Sequence, residues 1–124
     1  MSGTRTITVD MIIQGTVDCQ TDSTKVAGFK LKRTAVTGNY TILTTDFVLG
    51  VDTSTTAITI TLPDATTAIN HVFNVVDESG NSSNKNIILS PQSGQKISGG
   101  ESYIINTNYA SITLYSNGSN FFII

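Results

Sequence analysis

Ala57-Ile58-Thr59-Ile60-Thr61-Leu62-Pro63 is the stretch on which the fold class turns. Ile58, Ile60 and Leu62 alternate with Thr59 and Thr61, the period of two expected of a strand with one buried face. Pro63 has no N–H to donate and ends the pairing. Short runs of the same texture recur on either side, at residues 40–43, 47–51, 72–76, 86–90, 103–106, 111–115 and 120–124. Clusters of Thr, Asp, Asn and Gly separate them at intervals of about 8 to 12 residues, as in a sandwich or barrel. Pro91 stops the run at 87–90 as Pro63 does earlier. Ser116-Asn117-Gly118-Ser119 tolerates positive φ, so residues 112–115 and 121–124 are predicted to form a hairpin. Residues 64–68 are the one plausible helical turn, because a longer helix would have to cross β-branched runs.

Composition agrees. The 124 residues include 20 Thr, 13 Ser, 10 Asn, 15 Ile and 9 Val, a bias toward strands and tight turns in a chain long enough for one domain. Charged residues are only 13% of the chain, so Thr, Ser and Asn must cover its surface. A net charge of -2 provides no basic field for a nucleic acid. No apolar run reaches the roughly 20 residues that span a bilayer, so membrane insertion is not expected. The N-terminus has no apolar stretch of signal-peptide length, and synthesis in the cytoplasm is expected.

The N-terminal third reads differently. Ile7, Val9, Met11 and Ile13 alternate with Thr6, Thr8, Asp10 and Ile12, which predicts a strand, and a Gly-, Asp- and Thr-rich loop follows at 15–24. Ala27, Phe29 and Leu31 alternate with Lys30 and Lys32, the pattern of an edge strand guarded by lysine or of an anion site. Residues 34–38 look turn-rich. The chain is therefore divided into an N-terminal β arm, 1–38, and a β-sandwich domain, 39–124. Ile7, Val9, Met11 and Ile13 are the candidate docking strand, since strand addition lets a short segment hold a large partner through main-chain hydrogen bonds; the competing reading is that the arm completes the domain's own sheet.

Little in the sequence points to catalysis. His71, the sole histidine, has no nucleophile at a recognisable spacing and reads as structural or exposed. Cys19, the sole cysteine, excludes an internal disulfide. Asp46, Asp52, Asp64, Asp77 and Glu78 fall in turns; two of them facing each other would make a glycosidase pair, but Asp in such places ordinarily organises its own turn. Asp77-Glu78-Ser79-Gly80-Asn81 gathers oxygen ligands suited to calcium without the EF-hand spacing. There is no phosphate loop and no nucleophile elbow. The chain is read as a non-enzyme with no cofactor, no catalytic residues and no metal site. Tyr103, Tyr109 and Tyr115 are candidate glycan contacts, because aromatic faces stack on sugars. The apolar terminus Phe121, Phe122, Ile123 and Ile124 is predicted to be a strand with one face in the core and one in a subunit interface.

Four blocks, in order, are Asn39-Tyr40-Thr41-Ile42-Leu43; Ala57 through Leu62-Pro63-Asp64-Ala65; Val76-Asp77-Glu78-Ser79-Gly80-Asn81; and Asn106-Thr107-Asn108-Tyr109-Ala110-Ser111-Ile112-Thr113-Leu114-Tyr115-Ser116-Asn117-Gly118-Ser119-Asn120-Phe121-Phe122-Ile123-Ile124. With them residues 39–124 resemble a β-domain of bacteriophage virion-surface proteins, found at tail-fibre tips and in head decorations. The resemblance implies an antiparallel, jelly-roll-like β-sandwich that assembles as a homotrimer on the virion surface without enzymatic activity. An arm plus one domain, too short for a fibre with shaft and tip, suits a capsid decoration or cement protein whose partner is the major capsid protein or another virion protein. The alternative is a short tail-fibre or receptor-binding tip recognising a bacterial surface glycan, and a glycan depolymerase ranks third.

Overall fold

The computed structural model describes residues 30–124, of which Leu31–Ile124 form a compact unit. The expected strand at Ile7, Val9, Met11 and Ile13 lies outside the described residues, as does Cys19. Nine strands and no helix occur among the described residues: β1 Arg33–Val36, β2 Tyr40–Thr41, β3 Val48–Val51, β4 Ile58–Thr61, β5 Val72–Asp77, β6 Ile87–Ser90, β7 Tyr103–Ile105, β8 Ser111–Ser116 and β9 Phe121–Ile123. All eight strands expected beyond residue 39 form, and β1 is additional. It lies in the stretch read as arm and turn, where Arg33 and Ala35 face outward and only Val36 is buried, too short a signal to read as a strand.

Two sheets share one core. The five-stranded sheet has the order β1-β3-β5-β8-β9, and the four-stranded sheet β2-β4-β6-β7. Inward-facing Leu49, Val51, Phe73, Val75, Leu114 and Phe121 of the first meet Ile58, Ile60, Ile87, Leu89 and Ile105 of the second. The alternation in the sequence maps directly onto these faces: Ile58 and Ile60 are buried, and Thr59 and Thr61 lie half-exposed on the outer surface.

The pairing departs from the expected antiparallel arrangement. β1 with β3, β3 with β5, β2 with β4 and β4 with β6 are all parallel; only β5–β8, β6–β7 and β8–β9 are antiparallel. From β1 to β6 each connection crosses to the other sheet, so the chain winds as a flattened coil, and Arg33 pairs with Val48 one turn later. A parallel neighbour needs a crossover of a dozen or so residues, usually a helix; here a strand of the opposite sheet fills that role. The turn-rich clusters that look like hairpin loops are corners of this coil. β7 then reverses direction, and β8 and β9 close the larger sheet with the predicted C-terminal hairpin, in which Ser116 pairs with Phe121.

The winding gives the unit two ends. β1, β3 and β5 finish at one, with loops 37–39, 52–57, 78–86 and 106–110. The other carries loops 42–47, 62–71, 91–102 and the hairpin tip 117–120. Residues 64–68 make the expected single helical turn, in which Ala68 N–H donates to Asp64 O at 3.1 Å. The β9 edge is covered, since Phe121 N–H donates to Lys96 O, Ser98 N–H to Phe121 O and Ile123 N–H to the Ser98 hydroxyl.

Candidate functional site

Each end is organised by one buried carboxylate. Asp77 ends β5 facing inward and is only 1% exposed. Its Oδ1 accepts from Gly80 N–H (3.0 Å) and the Ser79 hydroxyl (3.2 Å), and its Oδ2 from Ser82 N–H (3.1 Å) and Tyr109 N–H (3.0 Å). Burial alone would raise its pKa, but the donors from Ser82, Tyr109 and Gly80 outweigh that and hold it down at about 2. Within the oxygen-rich cluster 77–81, Asp77 is thus an inward-turned loop anchor whose carboxylate is engaged by four protein donors, while Glu78 faces outward.

Around Asp77 two loops are sewn together. The Ser82 hydroxyl donates to Thr107 O at 2.6 Å, Ser83 N–H to the Asn108 side-chain oxygen at 2.9 Å, and Asp77 N–H to Ala110 O at 2.9 Å. Tyr109 is thereby held at φ 62°, a left-handed conformation rare for an aromatic residue. The residue is 72% exposed, and its ring lies over Gly80, where any added Cβ would meet the ring. Gly80 itself has φ 73°, so the position favours glycine on two counts.

Asp46 holds the opposite end, with its side chain 1% exposed. It accepts from the Tyr40 phenol (2.6 Å), the Thr34 hydroxyl (2.7 Å) and Leu43 N–H (2.9 Å), with Lys32 Nζ at 3.5 Å. Burial opposes ionisation, yet these donors and the Lys32 charge keep its pKa below the usual carboxylate value. The same contact pushes the Tyr40 phenol up to about 12. Nothing in the sequence signals this cluster beyond the placement of Asp46 in a turn.

On the outer face of the five-stranded sheet, Arg33 grips Glu78 through two hydrogen bonds, one of them Nε to Oε2 at 2.9 Å. The carboxylate lies across Gly50, which has no side chain to obstruct it. A cleft of about 270 Å³ adjoins this pair, lined also by Ala35, Thr37, Asp52 and Ser79.

The three candidate glycan-contact tyrosines are not together. Tyr109 is at the Asp77 end. Tyr103 lies on β7, opposite Leu89, and Tyr115 is on the outer face of the larger sheet, 6.0 Å from the Phe122 ring. Of the terminal strand, Phe121 is fully buried, Phe122 half-buried beside Tyr115, and Ile123 and Ile124 are 40% and 67% exposed. His71 is exposed and stacks on Phe73. The five turn carboxylates are dispersed: Asp46 and Asp64 belong to one end, and Asp52, Asp77 and Glu78 to the other. Asp64 accepts from Thr66 and Gln95, and Asp52 from Ser54 N–H. Neither a protein-family model nor a curated protein matches the chain.

Proposed function

We propose that the protein is a bacteriophage virion structural protein, a capsid decoration or cement protein that binds the head surface as a homotrimer. The observation that carries this reading is the C-terminal hairpin, formed by the block in which the resemblance to virion-surface domains is strongest. One face of it, Leu114 and Phe121, is in the core. The other places Tyr115 and Phe122 beside Val72, with Ile124 continuing the strand. Aromatic and aliphatic side chains at the edge of so small a unit are the material of a subunit contact. In this reading the homotrimer covers that row, and Ile7, Val9, Met11 and Ile13 add a strand to the major capsid protein or another virion subunit.

Two measurements test it. Light scattering on the purified protein should give the mass of three 13.2 kDa chains, and a monomer would end the trimer claim. The copy number in purified particles should approach that of the major capsid protein. A small fraction of that number would move the protein to a short tail fibre or receptor-binding tip, and absence from particles would overturn the virion role. A chain shortened to begin at Leu31, the start of the compact unit, should keep the trimer and lose particle binding.

A further inference from the structure

Tyr109 combines three properties that packing alone does not call for. Its conformation is one that a bulky residue adopts at a cost, its ring is mostly in solvent, and its backbone is fixed by the buried Asp77. Asn or Gly would satisfy the same φ without strain. An aromatic kept there against conformational preference, contributing little to the core, points to a use for its ring.

The surroundings define what the ring would meet. Asn108 precedes Tyr109 in the chain and its side-chain oxygen accepts from Ser83 N–H; both residues are exposed, and among the described residues no hydrogen bond engages the Asn108 amide nitrogen or the Ser83 hydroxyl. The charges of this end are engaged by the protein: Asp77 is buried under four donors, Glu78 is paired with Arg33, Asp52 accepts from Ser54 N–H, and Lys85 Nζ donates to Ser54 O at 2.7 Å. An open aromatic ring flanked by uncharged donors and acceptors matches a ligand with an apolar face and a hydroxyl rim. A pyranose ring has both.

We infer that the end of the unit formed by residues 79–84 and 107–109 is a carbohydrate-binding site, with Tyr109 as the stacking platform and Asn108 and Ser83 as hydroxyl partners, for a neutral polysaccharide. The loops are already cross-linked by hydrogen bonds, so little ordering is needed on binding. The site stands apart from the proposed subunit contact, because Tyr115 and Phe122 belong to the opposite half of the larger sheet. It therefore does not depend on the virion reading.

The test is NMR titration of the full chain with cellohexaose, maltohexaose, chitohexaose and mannohexaose, each to about 5 mM, a range that captures single-platform affinities. At least one should shift the amide resonances of Gly80, Ser83, Asn108 and Tyr109 and leave those of β9 unmoved. Tyr109→Asn keeps the left-handed backbone and removes the ring; it should weaken binding at least about tenfold without lowering the unfolding temperature, whereas Tyr109→Phe should stay within about threefold. Ser83→Ala, which spares the backbone N–H, should weaken binding independently of any change at Tyr109. No shift with any of the four sugars would overturn the assignment. So would binding that survives Tyr109→Asn, or a Tyr109→Asn chain that dissociates into monomers, which would place the ring in a subunit contact.

Discussion

Asp77→Asn is the substitution that most directly probes how the loop end is held. The change is nearly isosteric, so it leaves packing intact and alters only acceptors. Each carboxylate oxygen now receives two donors. With the new NH2 in the Oδ2 position the N–H groups of Ser82 and Tyr109 lose their acceptor; in the Oδ1 position Gly80 N–H does, while the Ser79 hydroxyl can turn to accept, and in either case two bonds to a charged oxygen become bonds to a neutral one. Bonds to charged groups are worth about 1.5 to 3 kcal/mol each, and a buried unsatisfied donor costs about 1 to 3 kcal/mol, so a loss of about 3 to 5 kcal/mol is expected at pH 7. The pH dependence supplies a second handle. The Asp77 pKa falls from 3.8 unfolded to about 2 folded, so its ionised form stabilises the fold by about 2 kcal/mol. Because the folded pKa is depressed, that stability is present above the unfolded value and is lost as pH falls through the folded one. Urea denaturation of both chains, at equal concentration, should therefore show a gap that is widest at neutral pH and shrinks by about 2 kcal/mol between pH 6 and pH 2. Parallel pH profiles, or a neutral-pH gap under about 1 kcal/mol, would show that Asp77 does not organise the loops as described.

Phe121→Ala should cost about 3 to 5 kcal/mol in denaturant unfolding, since its ring is fully buried. Phe122→Ala should spare the fold by comparison and shift light scattering toward monomer; equal effects on stability would mean that both faces of β9 are core. Tyr40 should stay protonated to about pH 12 in an ultraviolet titration, later than an ordinary phenol, and Tyr40→Phe should remove that late step. Its folded pKa is raised, so the Asp46 contact stabilises below pH 10 and is lost as pH rises through 12; Tyr40→Phe should cost about 1 to 2 kcal/mol at pH 7. Gly50→Ala places a Cβ against the Glu78 carboxylate and should displace the Arg33–Glu78 pair. The pair is partly exposed and Glu78 can swing away, so the unfolding temperature should change little.

What the sequence determined by itself is local. Alternation of Ile with Thr at 58–61 shows which side chains enter the core, Pro63 and Pro91 mark where strands stop, and Ser116-Asn117-Gly118-Ser119 marks the hairpin, because each of these depends on a few adjacent residues and the pleat. Only the tertiary structure decided the rest. A period of two says nothing about which strand lies alongside, so parallel winding and antiparallel hairpins read alike until the whole core closes, and Arg33–Val36 became a strand only because β3 was there to pair with it. The site is non-local for the same reason. Tyr109 meets Asp77 across 32 residues and Arg33 meets Glu78 across 45, while Tyr103, Tyr109 and Tyr115, close in sequence, end on different faces. A buried carboxylate gathers donors from whichever loops the fold brings to it, and the energy of burying its charge is what requires that gathering.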